Sequence, residues 1–112
     1  MAAGDVVITL DYRNQGIRFM GGTVTLDGAN PTPIDLSSYV SSVLAAVTNM
    51  SGSVAPGDDP SLITQQVAAA SVINVYAWKN TSGTDPTLVA STDNARLIDW
   101  LAVGIALPRK GS

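Results

Sequence analysis

The chain contains no cysteine, no histidine and no glutamate. Without cysteine there is no disulfide framework and no thiolate nucleophile, and the redox compartment is left open. Without histidine or cysteine, Ser/His/Asp and Cys/His nucleophilic sites are excluded, as are zinc sites built on those ligands. All nine acidic residues are Asp, and lysine occurs only at Lys79 and Lys110. Helix surfaces are normally filled with Glu, Lys, Gln and Arg, whose straight side chains lose little rotamer freedom there. A chain this poor in them leans towards strands and turns. Charged residues make up 13% of the sequence, about half the usual share of roughly 25%. Its 112 residues set the scale of one small domain with a single core.

Basic residues are also few. Arg13, Arg18, Lys79, Arg96, Arg109 and Lys110 are scattered, and the net charge is −3. Nucleic-acid binding needs a clustered basic footprint to displace counterions from phosphates, so no nucleic-acid partner is expected. The longest apolar runs fall far short of a helical membrane span, and no membrane association is expected. The opening MAAGDVVITLD has no basic region followed by an apolar stretch, so it does not read as a signal peptide.

Turn residues divide what remains into short apolar pieces. Val6 to Leu10 is a β-branched run, closed by Asp11 and the turn-like Arg13-Asn14-Gln15-Gly16. Ile17 to Met20 alternates, Gly21-Gly22 interrupts, and Thr23 to Asp27 resumes. Glycine inside a strand pattern marks a bulge or a close approach of backbones. A turn cluster, Asp27-Gly28-Ala29-Asn30-Pro31, follows. Between residues 34 and 50, Leu36, Tyr39, Val40, Val43, Leu44 and Val47 fall at helical spacing, with Asp35 or Ser37 available as a cap. The same segment also reads as one helical turn (35–40) followed by a strand (42–50), and its lack of Glu and Lys favours that second reading.

Residues 51–60 are a turn-dense loop, and strands are predicted at 62–67, 72–78, 87–91 and 96–107. In the second of these, Ile73, Val75 and Ala77 share one face, while Asn74, Tyr76 and Trp78 share the other. The last strand is apolar on both faces, which places it centrally or under a partner. Together these pieces predict an all-β fold, an antiparallel β-sandwich or jelly-roll-like barrel with at most one short helix. Residues 1–107 read as one domain, with 1–5 as a flexible N-terminal arm and 108–112 as a flexible tail.

Catalysis is not expected, and neither is a cofactor or a resident metal. Asp58-Asp59 is a poor acid–base pair, because adjacent carboxylates seldom converge and Asp favours turns for its local hydrogen bonds. Asp58, Asp59, Asp85 and Asp93 lack the spacing of a calcium loop. The residues singled out for contact with a partner or ligand are Tyr76, Trp78, Asn80, Asp85, Asp99 and Trp100. Tyr76 and Trp78 beside Asn80 and Asp85 have the make-up of a sugar-stacking platform. Rings two residues apart on a strand more often pack on a core or a subunit interface, and that reading is preferred. Asp99, in so apolar a strand, must reach solvent, a donor or a subunit boundary.

The stretch VYAWKNTSGTDPTLVAST followed by DWLAVG resembles small structural proteins of tailed-phage virions. It is also similar to β-sandwich lectin-like domains of phage fibres, through Tyr76-Ala77-Trp78-Lys79, the loop from Thr81 to Thr87, and Trp100 to Gly104. The resemblance covers the last third of the chain, and residues 35–70 match no fibre lectin. It implies a capsid decoration (cement) protein, commonly a homotrimer, which is made in the host cytoplasm and sits on the virion surface against the major capsid protein. The alternative it implies is a fibre-associated module that binds host glycans.

Overall fold

A computed structural model describes residues 3–52, 59–81 and 87–108. The elements among these are all strands: β1 (Val6–Asn14), β2 (Ile17–Thr25), β3 (Thr32–Asp35), β4 (Val40–Met50), β5 (Leu62–Ala69), β6 (Val72–Asn80), β7 (Leu88–Ala90) and β8 (Leu97–Ala106). They form two antiparallel sheets, as the composition led us to expect. The larger runs β1-β2-β8-β4. The smaller has β6 at its centre, with β5 on one side and β3 and β7 on the other.

β1 and β2 are joined by Gln15 and Gly16, at φ 50° and 86°. Two successive positive φ values give a tight turn whose twist matches the strands, and glycine takes the second position without steric cost. Gly21-Gly22 does not interrupt β2. The irregularity lies opposite, where β1 skips register between Ile8 and Leu10. A Cβ on Gly22 would lie 1.8 Å from the Val7 carbonyl oxygen, so the bulged strand and the glycine require each other. Of the expected arm, Gly4 donates its N–H to the Thr25 carbonyl and the Asp5 carbonyl accepts from Thr25 N–H, which fastens this end to β2.

Residues 34–50 are not a helix. Ile34 and Asp35 complete β3, a single turn follows, and β4 begins at Val40. Tyr39 and Val40 both donate to the Leu36 carbonyl, while Asp35 Oδ1 accepts the Ser37 N–H at 2.9 Å. The helical spacing of Leu36, Val40 and Val43 arises because the turn and the start of β4 deliver all three into the core.

The core lies between the sheets and joins Met20, Val24, Ile34, Leu36, Ile73, Val75, Ile98 and Trp100. Burying each such side chain contributes roughly 1.5–3 kcal/mol before conformational entropy is set against it. Along one side the sheets are seamed together: Val43 N–H donates to the Ala70 carbonyl at 2.6 Å, and Thr48 Oγ1 donates to Gln65 Oε1 at 2.6 Å. The result is a sandwich closed along its β4–β5 side.

Candidate interaction surfaces

The residues singled out in the sequence come to rest in three places. Tyr76, Trp78 and Asn80 lie on the outward face of β6, because Ile73, Val75 and Ala77 occupy the core row and alternation sends the others away from it. Of the preferred reading, core or subunit interface, the first half is corrected: both rings are half-buried and face away from the core. Trp100 points inward and is 3% exposed. Its indole N–H is buried with no hydrogen-bond partner among the described residues. Asp99, on the opposite side of the same strand, is exposed on the outer face of the larger sheet, flanked by Thr23 and Asn49. It reaches solvent, one of its three expected outlets. Asp85 and Asp58 lie outside the described residues.

The outer face of the smaller sheet mixes polar side chains with the two rings and carries the exposed Leu62 and Leu88 beside them. Tyr76 and Trp78 lie nearly parallel, with ring centroids 6.3 Å apart and planes 13° apart. Their direct partners on β5 are Thr64 and Leu62. Their polar tips nevertheless reach two residues further along, Trp78 Nε1 donating to Thr64 Oγ1 at 3.1 Å and Tyr76 Oη to Gln66 Oε1 at 3.3 Å. Both rings therefore lean the same way across β5 and are held by their edges. Asn80 Oδ1 accepts from Ser61 Oγ at 3.1 Å.

The outer face of the larger sheet is different in kind. β8 sends Leu97, Asp99, Leu101, Val103 and Ile105 outward. Registered pairing continues the Leu101 row through Gly21 to Leu10 on one side and to Val47 on the other. The Val103 row runs through Phe19 to Tyr12 and to Ala45. Tyr12 and Phe19 form a tilted ring pair at 6.4 Å. Tyr12 and Val47 are more than half exposed, at 55% and 57%, and Leu101 is 46% exposed. A polar row of Thr23, Asp99 and Asn49 crosses the face near one end, with Leu97 beyond it, and at the other end Asn14 and Ser42 flank Ile17 and Ile105. Near the middle, the small side chain of Ala45 leaves a shallow hollow of about 150 Å³ between Phe19, Val47, Leu101 and Val103.

No residue of this face except Asp99 was singled out in the sequence. The signal was present in β8, whose two apolar rows demanded cover on both sides. β8 is central, between β2 and β4, yet among the described residues only one of its faces is covered.

Apart from Asp99, charged groups on the described surface are engaged locally. Arg18 forms a two-pronged pair with Asp11, at 2.8 and 2.7 Å, and also donates to the Tyr39 carbonyl. That hydrogen bond holds the Asp11 carboxyl below its ordinary value, against a smaller opposing effect of burial. Asp35 is held low by its bonds from Ser37. Asp59 accepts from Ser91 Oγ at 2.5 Å and lies 3.8 Å from Lys79 Nζ. Asp93 Oδ1 accepts the N–H groups of Ala95 and Arg96. Among the described residues no group of three or more carboxylates gathers where a cation would bind. No family model, no curated protein and no solved structure matches the chain.

Proposed function

We propose that this is a non-enzymatic virion structural protein, a capsid decoration or cement protein that binds the outer head surface and stabilises it, with the major capsid protein as its partner. The observation that carries the reading is the outer face of the larger sheet. An apolar centre with a polar rim has the anatomy of a protein–protein interface, and an uncovered patch of this extent is unusual on a soluble monomer. The resemblance of the last third of the chain to phage structural proteins supplies the setting. On a head lattice many copies act together, so modest burial per copy suffices. The test is to add purified protein to heads assembled without it, then measure occupancy and rupture temperature. Saturable binding that raises the rupture temperature is expected, and absence of binding refutes the proposal.

A second reading, a fibre-associated module binding host glycans, is favoured by one observation. Tyr76 and Trp78 face outward with their edges fixed and polar side chains around them, which suits stacking on a sugar ring. Titrating a glycan panel against tryptophan fluorescence tests it. Unchanged emission from wild-type protein across the panel removes this reading.

A further inference from the structure

We infer that the outer face of the larger sheet is covered by the same face of a second copy of this chain, so that the protein is a two-fold dimer with stacked sheets. The inference gives the surface on which the proposed function rests an occupant other than the major capsid protein, so the two readings compete for one face. Four strands at about 4.8 Å spacing and about 3.3 Å per residue present roughly 500 Å² in projection, and side-chain relief adds to it. That approaches the ~800 Å² per partner of a standard stable interface. The composition points the same way. Leu10, Tyr12, Phe19, Val47, Leu101 and Ile105 all stand on this face, and the interfaces this apolar are those of permanent homo-oligomers, which resemble a core cut in half.

The shape also selects its complement. A broad sheet face packs best on another sheet about 10 Å away, with side chains of the two inner faces interdigitating. The hollow beside Ala45 can receive a side chain from across the interface. A face that meets its own copy is isologous and closes as a pair, in contrast to the trimer implied by the resemblance to decoration proteins.

The rim fixes which two-fold axis is used. Asp99 carries the charge near one end of the face, and the far end row of Asn14, Ile17, Ile105 and Ser42 carries none. An axis parallel to the strands would bring the two Asp99 rows together, which like charges disfavour. An axis across the strands keeps the two Asp99 carboxylates at opposite ends of the interface. The copies then run antiparallel, with the Leu101 and Val103 rows at the centre.

Native mass spectrometry and sedimentation of the full chain test this. Wild type is expected to be a dimer at micromolar concentration. Leu101→Lys and, independently, Val47→Lys should each raise the dissociation constant by about a hundredfold or more, as removal of central anchors does. Circular dichroism should show both variants folded, since neither side chain belongs to the core. Gln66→Lys, on the other sheet, should leave the dimer intact. Because the chain has no native cysteine, single-cysteine variants report orientation. Val103→Cys should cross-link its own copy through a short reagent, and Asp99→Cys should not. A wild-type monomer, or an oligomer indifferent to both lysine substitutions, overturns the inference. Measuring head binding on the same preparations separates the two proposals. A monomer that binds heads removes the dimer and keeps the decoration role, and a dimer that ignores heads does the reverse.

Discussion

The two sheets differ in how they are held and in what they show to the outside. The larger is a ladder of long strands, and its backbone pairing runs unbroken along β2 and β8 from Ile17 to Thr25. In the smaller, β5 pairs along one side of β6, and two short pieces, β3 and β7, lie end to end along the other. Where they leave a gap, other groups fill it. Ala77 N–H donates to Asn30 Oδ1 at 2.8 Å, and the Ala77 carbonyl accepts from Ser91 N–H at 2.9 Å. The outer face of the smaller sheet is likewise tied by side-chain hydrogen bonds, whereas that of the larger is a plain of aliphatic and aromatic carbon. The contrast teaches that two sheets sharing one core can face different surroundings. The smaller satisfies its own polar groups and can stand in water, and the larger leaves apolar area that only another surface can remove.

The sharpest way to break this comparison is to delete carbon from the two sides of β8. Ile98→Ala opens a cavity in the core and should cost about 2–5 kcal/mol in chemical denaturation. Leu101→Ala, on the outer face, should cost the isolated fold well under about 1 kcal/mol. Equal losses measured on dissociated protein would mean that the outer face is covered within the chain. Next in size is Asn30→Ala, which strips the acceptor from Ala77 N–H in the middle of β6. A loss of about 1–3 kcal/mol is expected, with faster amide exchange at Ala77. Trp78→Phe keeps a ring but loses the bond to Thr64, and about 0.5–1.5 kcal/mol should follow. If Trp78→Phe proves as costly as Ile98→Ala, the outer face of the smaller sheet is not the solvated surface described.

The smallest effect concerns the edge of the larger sheet. Asp11 is held below its ordinary value of 3.8 by Arg18. A carboxyl lowered by folding contributes stability above its unfolded value, and that contribution is lost as pH falls through the lowered one. Stability should therefore drop on acidification below about pH 4, and Asp11→Asn should flatten the drop. Because the pair is largely solvent-exposed, the difference should stay within about 1 kcal/mol and shrink in salt.

Much of the fold was legible because strand alternation is local. β8 was expected as a strand with two apolar rows, and β6 divides at Ile73, Val75 and Ala77 as expected. β3 was not recognised. Thr32–Asp35 is four residues long and carries Pro33, a residue tolerated in a strand where it needs no ladder donor. The glycine pair was legible as a bulge or close approach, but which strand bulges depends on the partner across the ladder. The candidate site was less legible. Alternation assigns Tyr76 and Trp78 to a common side of β6 without saying whether that side is core or solvent.

By itself the sequence determined the fold class. Lacking His and Cys, it has no Ser/His/Asp or Cys/His site, and its β-branched runs between Asp, Asn, Gly and Pro turns commit it to strands. Only the tertiary structure decided what each strand face meets. β8 has two apolar rows, and a strand's periodicity cannot say which of them its own chain will cover. The sheet order put Ile98, Trp100 and Ala102 against the core, and among the described residues β5, β6 and their neighbours form the one other layer. Leu101, Val103 and Ile105 were left on the outside because one small sheet can cover one face.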